Sequence, residues 1–307
     1  MKYLIPLQRV TLSFAALVFV LCALHFPRDV DSPQTPREIE QARAFYADAY
    51  RRSVAANESQ PAIETEYLRA AEFEAEHFGV KSQIREFAER YNLQRKRVLE
   101  IGSGRGYLQD IVSDYTGLDI SPSVARFYHK KFVLGSATAL PFPDNAFDAI
   151  WSIWVLEHVP NPEQSLVEAR RVTRSGGVIY LAPAWVAAPW AAEGYEVRPY
   201  SDFDLAGKII KASIVVRSLP EFRALSLIPV RAFRALSALS GPTRLRYQRL
   251  TPNYEIYWVN DSDAVNSIDR HEAMLWFQSR GDECLNCESQ ALVMGFGPLV
   301  IRVNKGG

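Results

Sequence analysis

Residues 98–106 read Val-Leu-Glu-Ile-Gly-Ser-Gly-Arg-Gly, and this stretch limits the possible folds more than any other. A short, mostly apolar run without polar alternation suits a strand that is buried on both faces of a parallel sheet. The glycines after it let the backbone turn sharply and leave no side chain between the main chain and a ligand. Residues 107–112 can start a helix whose free N–H groups face the same space. Strand, glycine turn and helix together predict the nucleotide-binding end of a Rossmann-like sheet.

An acidic residue follows at the end of a plausible second strand, 115–120. There the carboxylate of Asp119 could accept hydrogen bonds from both hydroxyl groups of a ribose. Asp119 could instead cap a helix that starts near Ser121 and Pro122, although Ser121 could also fill that role. The sequence therefore predicts a ribose-binding site and leaves the capping role open.

The spacing of the glycines separates two classes of ligand. A dinucleotide pyrophosphate prefers G-x-G-x-x-G, whereas this chain has E-x-G-x-G-x-G beginning at Glu100. Further motifs follow in order: the loop at 135–150, Leu-Glu-His-Val at 156–159, and a glycine turn into a fifth strand at 174–181. Over about 98–183, this series resembles the class I S-adenosylmethionine (SAM) dependent methyltransferases. It is most similar to the type 11 subgroup, which includes quinone-ring and other small-molecule methyltransferases.

The resemblance implies a fold, a cofactor and a set of binding residues. The expected fold is α/β: a Rossmann-like, mostly parallel seven-stranded sheet with an antiparallel last strand and helices on both faces. The residues expected to bind SAM are Glu100, Gly102, Ser103, Gly104, Gly106, Asp119, Ile120, Ser136, Ala137 and Trp154. Ser136 departs from the family, which usually has an acid there for the adenine amino group. A hydroxyl can accept the same hydrogen bond, but without charge it should bind more weakly.

His158 is the candidate catalytic residue, because a hydroxyl acceptor needs a base to remove its proton. The alternative is that His158 only orients the loop after the fourth strand. Glu157 is expected to bond to main chain or to bind a metal. Metal-assisted relatives have another Glu three positions before this pair, where this chain has Trp154, so no metal is predicted. Trp151, Trp154 and Trp185 could form the walls of an apolar substrate pocket or pack as core.

Composition limits the compartment and the partners. The formal net charge is +0, which argues against a nucleic-acid partner, and 48% of residues are hydrophobic. Three cysteines do not make a disulfide framework, so a reducing compartment is expected. The pair at 284 and 287 supplies only half of a zinc site.

Residues 10–26 contain no charged side chain. A helix of this length lies at the lower limit for crossing a bilayer. We expect an uncleaved membrane anchor, with a signal peptide or an interfacial helix as alternatives. The charges before and after this segment favour export of the bulk of the chain. The cofactor and the cysteine content favour the cytoplasm, and we expect the catalytic domain there.

The residues before the first strand predict helices at 38–56, 63–78 and 81–91. In related enzymes such helices often cover the cofactor pocket. Tyr46, Tyr50 or Tyr67 could close over the methionine end of SAM, or could simply pack. The predicted divisions are an anchor at 1–30, a linker with helices at 31–97, the SAM-binding core at 98–183, an insert at 184–250 and closing strands at 251–307.

The insert has nine basic residues and one acidic residue between 205 and 250, and Phe-Arg-Ala-Leu-Ser occurs at 222–226 and again at 233–237. Eleven residues are close to three helical turns, so both copies should face one way. Pro220 and Pro229 are each suited to starting a helix. The segment could lie on anionic lipid, with apolar side chains buried in the bilayer and arginines at the headgroups. It could also be a lid whose apolar stripe packs on the domain and whose arginines are solvated.

After the insert, the pattern predicts a strand at 254–259, a helix at 263–281 and a strand at 298–303.

The expected function is methyl transfer from SAM to an apolar or amphiphilic small molecule, quinone-like or lipid-linked, at a membrane. The expected partners are that substrate and a membrane, through the N-terminal helix and possibly residues 205–250, and no nucleic acid. Two alternatives stay open. One is a methyltransferase of polar metabolites or sugars with an anchor that only localises it. The other is a non-catalytic SAM-binding regulator.

Overall fold

Alternating strands and helices surround one mixed sheet in the computed structural model, which describes residues 8–14, 16, 17, 20, 35–52, 73–239, 241–287 and 297–306. The helices are α1 (Pro36–Arg52), α2 (Val80–Arg90), α3 (Pro162–Val172), α4 (Leu205–Arg217), α5 (Pro220–Ala238) and α6 (Arg270–Gln278). The strands are β1 (Arg97–Ile101), β2 (Asp114–Asp119), β3 (Lys131–Leu134), β4 (Phe147–Ile153), β5 (Thr173–Ala182), β6 (Tyr247–Arg249), β7 (Asn266–Ile268), β8 (Glu283–Cys284) and β9 (Leu299–Arg302).

Seven of these strands form the central sheet in the order β3-β2-β1-β4-β5-β9-β8. Strands β1 to β5 pair in parallel, and β9 pairs antiparallel with both β5 and β8. The chain order reverses at β1, because β2 lies on one side of it and β4 on the other. Ligands of such sheets bind beyond the carboxyl ends of the strands at this point. The predicted Rossmann-like sheet with an antiparallel strand near its edge is confirmed.

Both faces of the sheet are covered, which explains why its strands carry continuous apolar runs. On one face, Leu99 and Ile150 pack with Leu166 of α3 and Phe277 of α6. On the other face, strand residues including Trp151 pack with side chains of α2 such as Ile84 and Phe87.

The helix predicted for 107–112 does not form. Residues 104–110 make successive turns in which N–H groups bond three residues back, such as Gln109 to Gly106 and Ile111 to Leu108. Only seven residues separate Gly106 from β2, too few for a regular helix and its return to the sheet. The glycine turn therefore leads into tight turns rather than into a helix N-terminus.

The structure describes only part of the N-terminal region for which helices are predicted. Residues 8–14, 16, 17 and 20 are helical and exposed, whereas 21–34 and the start of the predicted 63–78 helix lie outside the described residues, as does Tyr67. Within the described part of the chain, no helix has the length and apolarity needed to cross a membrane. Helices α1 and α2 match the predicted helices at 38–56 and 81–91 within a few residues.

The insert forms α4 and α5. Pro220 is at the first turn of α5 as predicted, but Pro229 lies inside that helix and does not start one. Pro229 has no N–H group, so one helix carbonyl lacks its usual donor. Pro229 itself is exposed, and water can donate a hydrogen bond there instead. Arg217, Arg231 and Arg234 are all buried, so both alternatives for the arginines of this segment, contact with lipid headgroups and exposure to solvent, are wrong for these three residues.

The C-terminal part also departs from the sequence pattern. Residues 254–259 form a loop instead of a strand, because the Asn253 Oδ1 atom accepts hydrogen bonds from the N–H groups of Glu255 and Ile256, both at 2.9 Å. Such local bonds compete with strand pairing. The separate β6–β7 pair follows the insert. Cys284 and Cys287 form a disulfide, whereas reduced thiols were expected.

Candidate active site

The glycine turn after β1 has the backbone that its sequence predicts. Gly102, Gly104 and Gly106 all have positive φ, at 69°, 48° and 70°. A Cβ atom on Gly102 would collide with the side chain of Val155, and one on Gly104 would lie 3.0 Å from the Tyr50 Oη atom. The turn is therefore closely packed on both sides, which only glycine allows.

Asp119 lies at the end of β2 and is almost completely buried. Its Oδ2 atom accepts a hydrogen bond from the Gly104 N–H at 2.8 Å, and Oδ1 accepts one from the Ser121 N–H at 2.9 Å. Burial raises the pKa of Asp119, and these two hydrogen bonds partly oppose the rise. The carboxylate thus contacts the glycine turn and borders the space beyond it.

A cavity of about 770 Å³, including its open mouth, lies over the carboxyl ends of β1 to β4. Helix α1 closes one side through Ile39, Ala42, Tyr46 and Tyr50. Candidate residues that line the cavity are Gly102, Asp119, Ile120, Ser136, Ala137, Trp154 and His158.

The other four candidates, Glu100, Ser103, Gly104 and Gly106, do not line this cavity. Glu100 is buried behind the turn, and the Tyr115 hydroxyl donates a hydrogen bond to its carboxyl group. Burial raises the pKa of Glu100 to about 8. The structure places Glu100 as a support beneath the turn rather than as a residue at the cavity surface.

His158 ends a short 3-10 helix, Leu156–His158, that follows β4. Its Nδ1 atom lies 3.3 Å from the Oδ2 atom of Asp263, which is completely buried. The same Oδ2 atom accepts a hydrogen bond from the Tyr46 hydroxyl of α1 at 2.8 Å. One carboxylate therefore contacts both the candidate base and the helix that closes the cavity.

Two further acids, Glu157 and Asp261, lie beside His158. Burial raises the pKa of Glu157 to about 7 and that of Asp261 to about 6. Burial lowers the pKa of His158, but Asp263 and Glu157 raise it by a larger amount, so the net shift is upward. The surroundings thus favour the imidazolium form of His158 in the free enzyme.

Glu157, His158 and Asp261 could also hold a metal ion, because one ligand atom from each lies within 4.8 Å of the others. Glu157 accepts a hydrogen bond from the Ala184 N–H at 2.9 Å through Oε1, which matches its predicted bond to main chain. A metal bound there would need the neutral form of His158 and the ionised forms of the two acids. The geometry alone therefore permits a metal without requiring one.

Asp263 and Asp261 were not candidates from the sequence. They lie in a loop more than 100 residues after His158, and no motif spacing connects them. Asp261 has a positive φ of 64°, as does Trp154 at 52°. Such backbone strain in residues other than glycine concentrates at functional sites, but it is visible only in the structure.

Comparison with known proteins identifies the fold family of this site. Residues 99–181 match the model of a methyltransferase domain family, and these residues include every strand end that lines the cavity. The chain carries a class I SAM-dependent methyltransferase domain. SAM is its cofactor.

Two curated relatives and one solved structure illustrate the similarity. The demethylmenaquinone methyltransferase of Renibacterium salmoninarum is 35% identical over 96 residues, 28% of this chain and 40% of that protein. The fatty-acid O-methyltransferase of Mycolicibacterium smegmatis is 36% identical over 106 residues, 30% of this chain and 39% of that protein. The chain thus spans about 40% of the length of these relatives. A possible histamine N-methyltransferase from Thermotoga maritima is 15% identical, with 85% of this chain and all of that chain covered and a TM-score of 0.43.

The residues of the methyltransferase domain fit SAM. A buried carboxylate at the end of β2 suits the ribose hydroxyls, and the side-chain-free turn at Gly102 suits close approach of the methionine part. Ser136 reaches the cavity, although its hydroxyl is within hydrogen-bond distance of the Thr138 hydroxyl at 2.9 Å. The role of each of these residues in binding stays a prediction.

Proposed function

We propose that this chain transfers a methyl group from SAM to an apolar or amphiphilic small molecule, such as a quinone-like ring or a lipid-linked acceptor, at a membrane. The observation that carries the proposal is one cavity that joins the glycine turn and Asp119 to His158. SAM and an acceptor molecule bound together in this cavity could therefore contact both the cofactor-binding residues and the candidate base.

The walls of the cavity support an apolar acceptor. Ile39, Ala42, Val155, Val159 and Pro160 line it together with Trp154. Trp154 also borders a second cavity of about 680 Å³, which Phe78, Tyr180 and Trp185 line. Aromatic side chains suit flat or aliphatic ligands. The names of the two relatives, which refer to a quinone precursor and to fatty acids, agree with this class of acceptor.

Bound SAM supplies an electrophilic methyl carbon, and the chain has to orient the acceptor, exclude water and take up a proton. We assign proton uptake to His158, because it borders the cavity. Asp263 beside Nδ1 would stabilise the imidazolium that forms. Tyr46 would hold Asp263 in place when α1 covers the cavity. Exclusion of water and orientation of the base would then depend on the same helix.

Polar groups in the cavity favour a second candidate, methyl transfer to a polar metabolite or sugar. Tyr46, Ser136 and His158 line the cavity and could form hydrogen bonds with acceptor hydroxyl or amino groups. In that case the N-terminal segment would only localise the enzyme.

Incubation of the purified chain with methyl-labelled SAM and fractionated cell extracts tests the proposal. We expect label in the lipid fraction and an equal amount of S-adenosylhomocysteine. Label in the aqueous fraction alone would support the polar acceptor. SAM binding without formation of S-adenosylhomocysteine in any extract would instead identify a non-catalytic SAM-binding regulator. The His158→Ala variant is the inactive control for methyl transfer.

We also propose that residues 10–26 hold the enzyme at a membrane, with its catalytic domain in the cytoplasm, where SAM is made. Sodium carbonate extraction of cell membranes tests this location. We expect the full chain to stay in the membrane pellet and a chain without residues 1–30 to be released. Recovery of the full chain in the soluble fraction would overturn the tether and leave the enzymatic proposal intact.

A further inference from the structure

The charged side of α5 faces the protein. The Arg231 guanidinium donates two hydrogen bonds to Asp269, at 2.7 and 2.8 Å, and the side chains of this pair are only 2% and 5% exposed. The Arg234 guanidinium donates in the same way to Glu272, at 2.7 and 2.8 Å. Paired hydrogen bonds of this kind are strong and fix the geometry of both side chains. These arginines therefore link α5 to Asp269, just before α6, and to Glu272, in the first turn of α6. Their side chains are shielded from solvent.

The opposite side of α5 is apolar and exposed. From residue 228 to residue 239, the exposed positions are Ile228, Pro229, Ala232, Phe233, Leu236 and Leu239. None of them carries a charge, and the relative exposure is 63% for Phe233 and 83% for Leu239. A surface helix normally has the reverse arrangement, with its apolar stripe toward the core.

Helix α4 repeats this arrangement. Leu205, Ile209, Ala212, Val216 and Leu219 recur at intervals of four and three residues, the spacing of one helix face, and all five are exposed. The relative exposure of Leu205 is 76%. Scattered exposed apolar residues are ordinary, but two successive helices with continuous apolar outer stripes mark an interaction site.

We infer that the outer apolar face of α4 and α5, represented by Leu205, Ile209, Val216, Phe233, Leu236 and Leu239, inserts into the surface of a bilayer that contains anionic lipid. Helices with an apolar face lie in the interface with that face buried about 5–10 Å below the headgroups. This surface lies outside the cofactor cavity, and the inference depends on the exposure of α4 and α5 rather than on methyl transfer.

The charge of the segment favours anionic lipid over a second copy of the chain. Residues 205–250 contain nine basic residues and one acidic residue, and with the buried Arg217, Arg231 and Arg234 set aside, six basic residues remain against one acidic residue. Lys208 on α4 and Arg244 after α5 are exposed. Two copies that met through this face would bring like charges together, which disfavours association. Anionic headgroups complement the same charges and leave the hydrocarbon for the apolar stripes.

A polarity-sensitive fluorophore on single cysteines tests the contact in the full chain. The substitution Phe233→Cys places the label on α5, Ile209→Cys places it on α4, and Glu86→Cys on α2 is the control, because the Glu86 side chain is 70% exposed. All three are made with Cys22→Ser, and thermal unfolding checks that each keeps the fold of its parent. The vesicles contain phosphatidylcholine and phosphatidylglycerol. For labels at 233 and 209 we expect a blue shift and a rise in emission of about twofold or more, because the probe enters hydrocarbon. For the label at 86 we expect no change.

The vesicle measurement needs no acceptor and no turnover, so it does not depend on the proposed enzymatic activity. A rise that is larger with phosphatidylglycerol than with phosphatidylcholine alone supports the inference. Unchanged emission at both 233 and 209, while the N-terminal segment still carries the protein to the vesicles, would overturn it. A change without vesicles that grows with protein concentration would also overturn it, in favour of a second copy. If one labelled helix unfolds, the other still gives the result.

Discussion

Gly102 shows how a single residue links the turn to the cavity. Its φ is positive, and the Val155 side chain lies where a Cβ atom would be. Gly176 has a similar φ of 73°, but the nearest atom to a Cβ there would be 3.7 Å away. The two glycines therefore share a backbone conformation that would strain any other residue, and they differ in how closely a Cβ atom would approach its neighbours.

Replacing each of these glycines with alanine should separate strain from function. Gly176→Ala should lower the free energy of unfolding by about 1–3 kcal/mol, the cost of a left-handed non-glycine residue, and keep SAM binding. Gly102→Ala should show a larger loss, because its Cβ atom would also collide with Val155. It should weaken SAM binding by about tenfold or more, because Val155 lines the cavity and overpacking commonly costs about 1–3 kcal/mol. Urea unfolding and calorimetry measure both quantities. Equal SAM affinity in the two variants would contradict the placement of SAM against this turn.

His158 should give the reaction a pH dependence. Because neighbouring carboxylates raise its pKa, the neutral base forms only above the ordinary histidine value of about 6.5. The rate should therefore rise with pH through that region. Asp263→Asn removes the largest source of the rise in pKa, so the ascending limb should shift to lower pH.

The pH profile of kcat/KM measures this shift, and His158→Ala should lose about 10²–10⁴-fold in rate, the usual share of a general base. Asp110→Asn is the matched control, because Asp110 forms an exposed pair with His129 and neither residue lines the cavity. Profiles of Asp263→Asn and the parent that coincide would rule out Asp263 as the residue that positions the base.

Chelation tests the group of Glu157, His158 and Asp261 for a metal. Because Trp154 stands where metal-assisted relatives have a further Glu, we expect methyl transfer to be unchanged after treatment with EDTA. Loss of activity that Mg²⁺ or Zn²⁺ restores would show that these residues bind a metal and that His158 does not act as the base.

At the scale of elements, α5 is held by ion pairs and leaves its apolar side exposed. The stability of the helix should therefore depend on its buried ion pairs and on the buried Leu227 rather than on the exposed Leu236. Removing one partner of a buried pair leaves the other charge without compensation, which commonly costs about 3–5 kcal/mol. Exposed pairs contribute about 0–1 kcal/mol.

Arg231→Ala should accordingly lower the free energy of unfolding by about 3–5 kcal/mol. The matched control is Arg90→Ala, which breaks an exposed pair with Glu86 on α2 and should cost less than about 1 kcal/mol. Chemical denaturation measures both values. A loss below about 1 kcal/mol for Arg231→Ala would mean that packing other than this ion pair holds α5.

At the scale of the whole molecule, cofactor binding should stabilise the fold, because only the folded chain has the cavity. A ligand at about 100 times its dissociation constant adds about 2.7 kcal/mol. S-adenosylhomocysteine at that concentration should raise Tm by several degrees. Arg231→Ala should lower Tm and keep this shift, whereas Asp119→Ala should lose the shift. Differential scanning calorimetry measures both, and an undiminished shift in Asp119→Ala would contradict its role in holding the ribose.

The methyltransferase domain was predictable because its signals are local. Strand, glycine turn and acidic strand end lie within 22 residues at 98–119, and short-range backbone geometry requires these residue types in this order. The same local logic predicted α2 and the parallel strands. It failed at 107–112 and 254–259, where chain length and the hydrogen bonds from Asn253 override apolar periodicity.

Only the tertiary structure could identify the surroundings of His158 and the orientation of α5. Tyr46 and Asp263 are 217 residues apart and meet because α1 and the loop before β7 converge over the sheet edge. The sequence shows arginines and leucines along α5, but Asp269 and Glu272 decide that the arginines face inward. A sequence pattern specifies two faces of a helix. Which face is buried depends on the charges that the fold brings beside it.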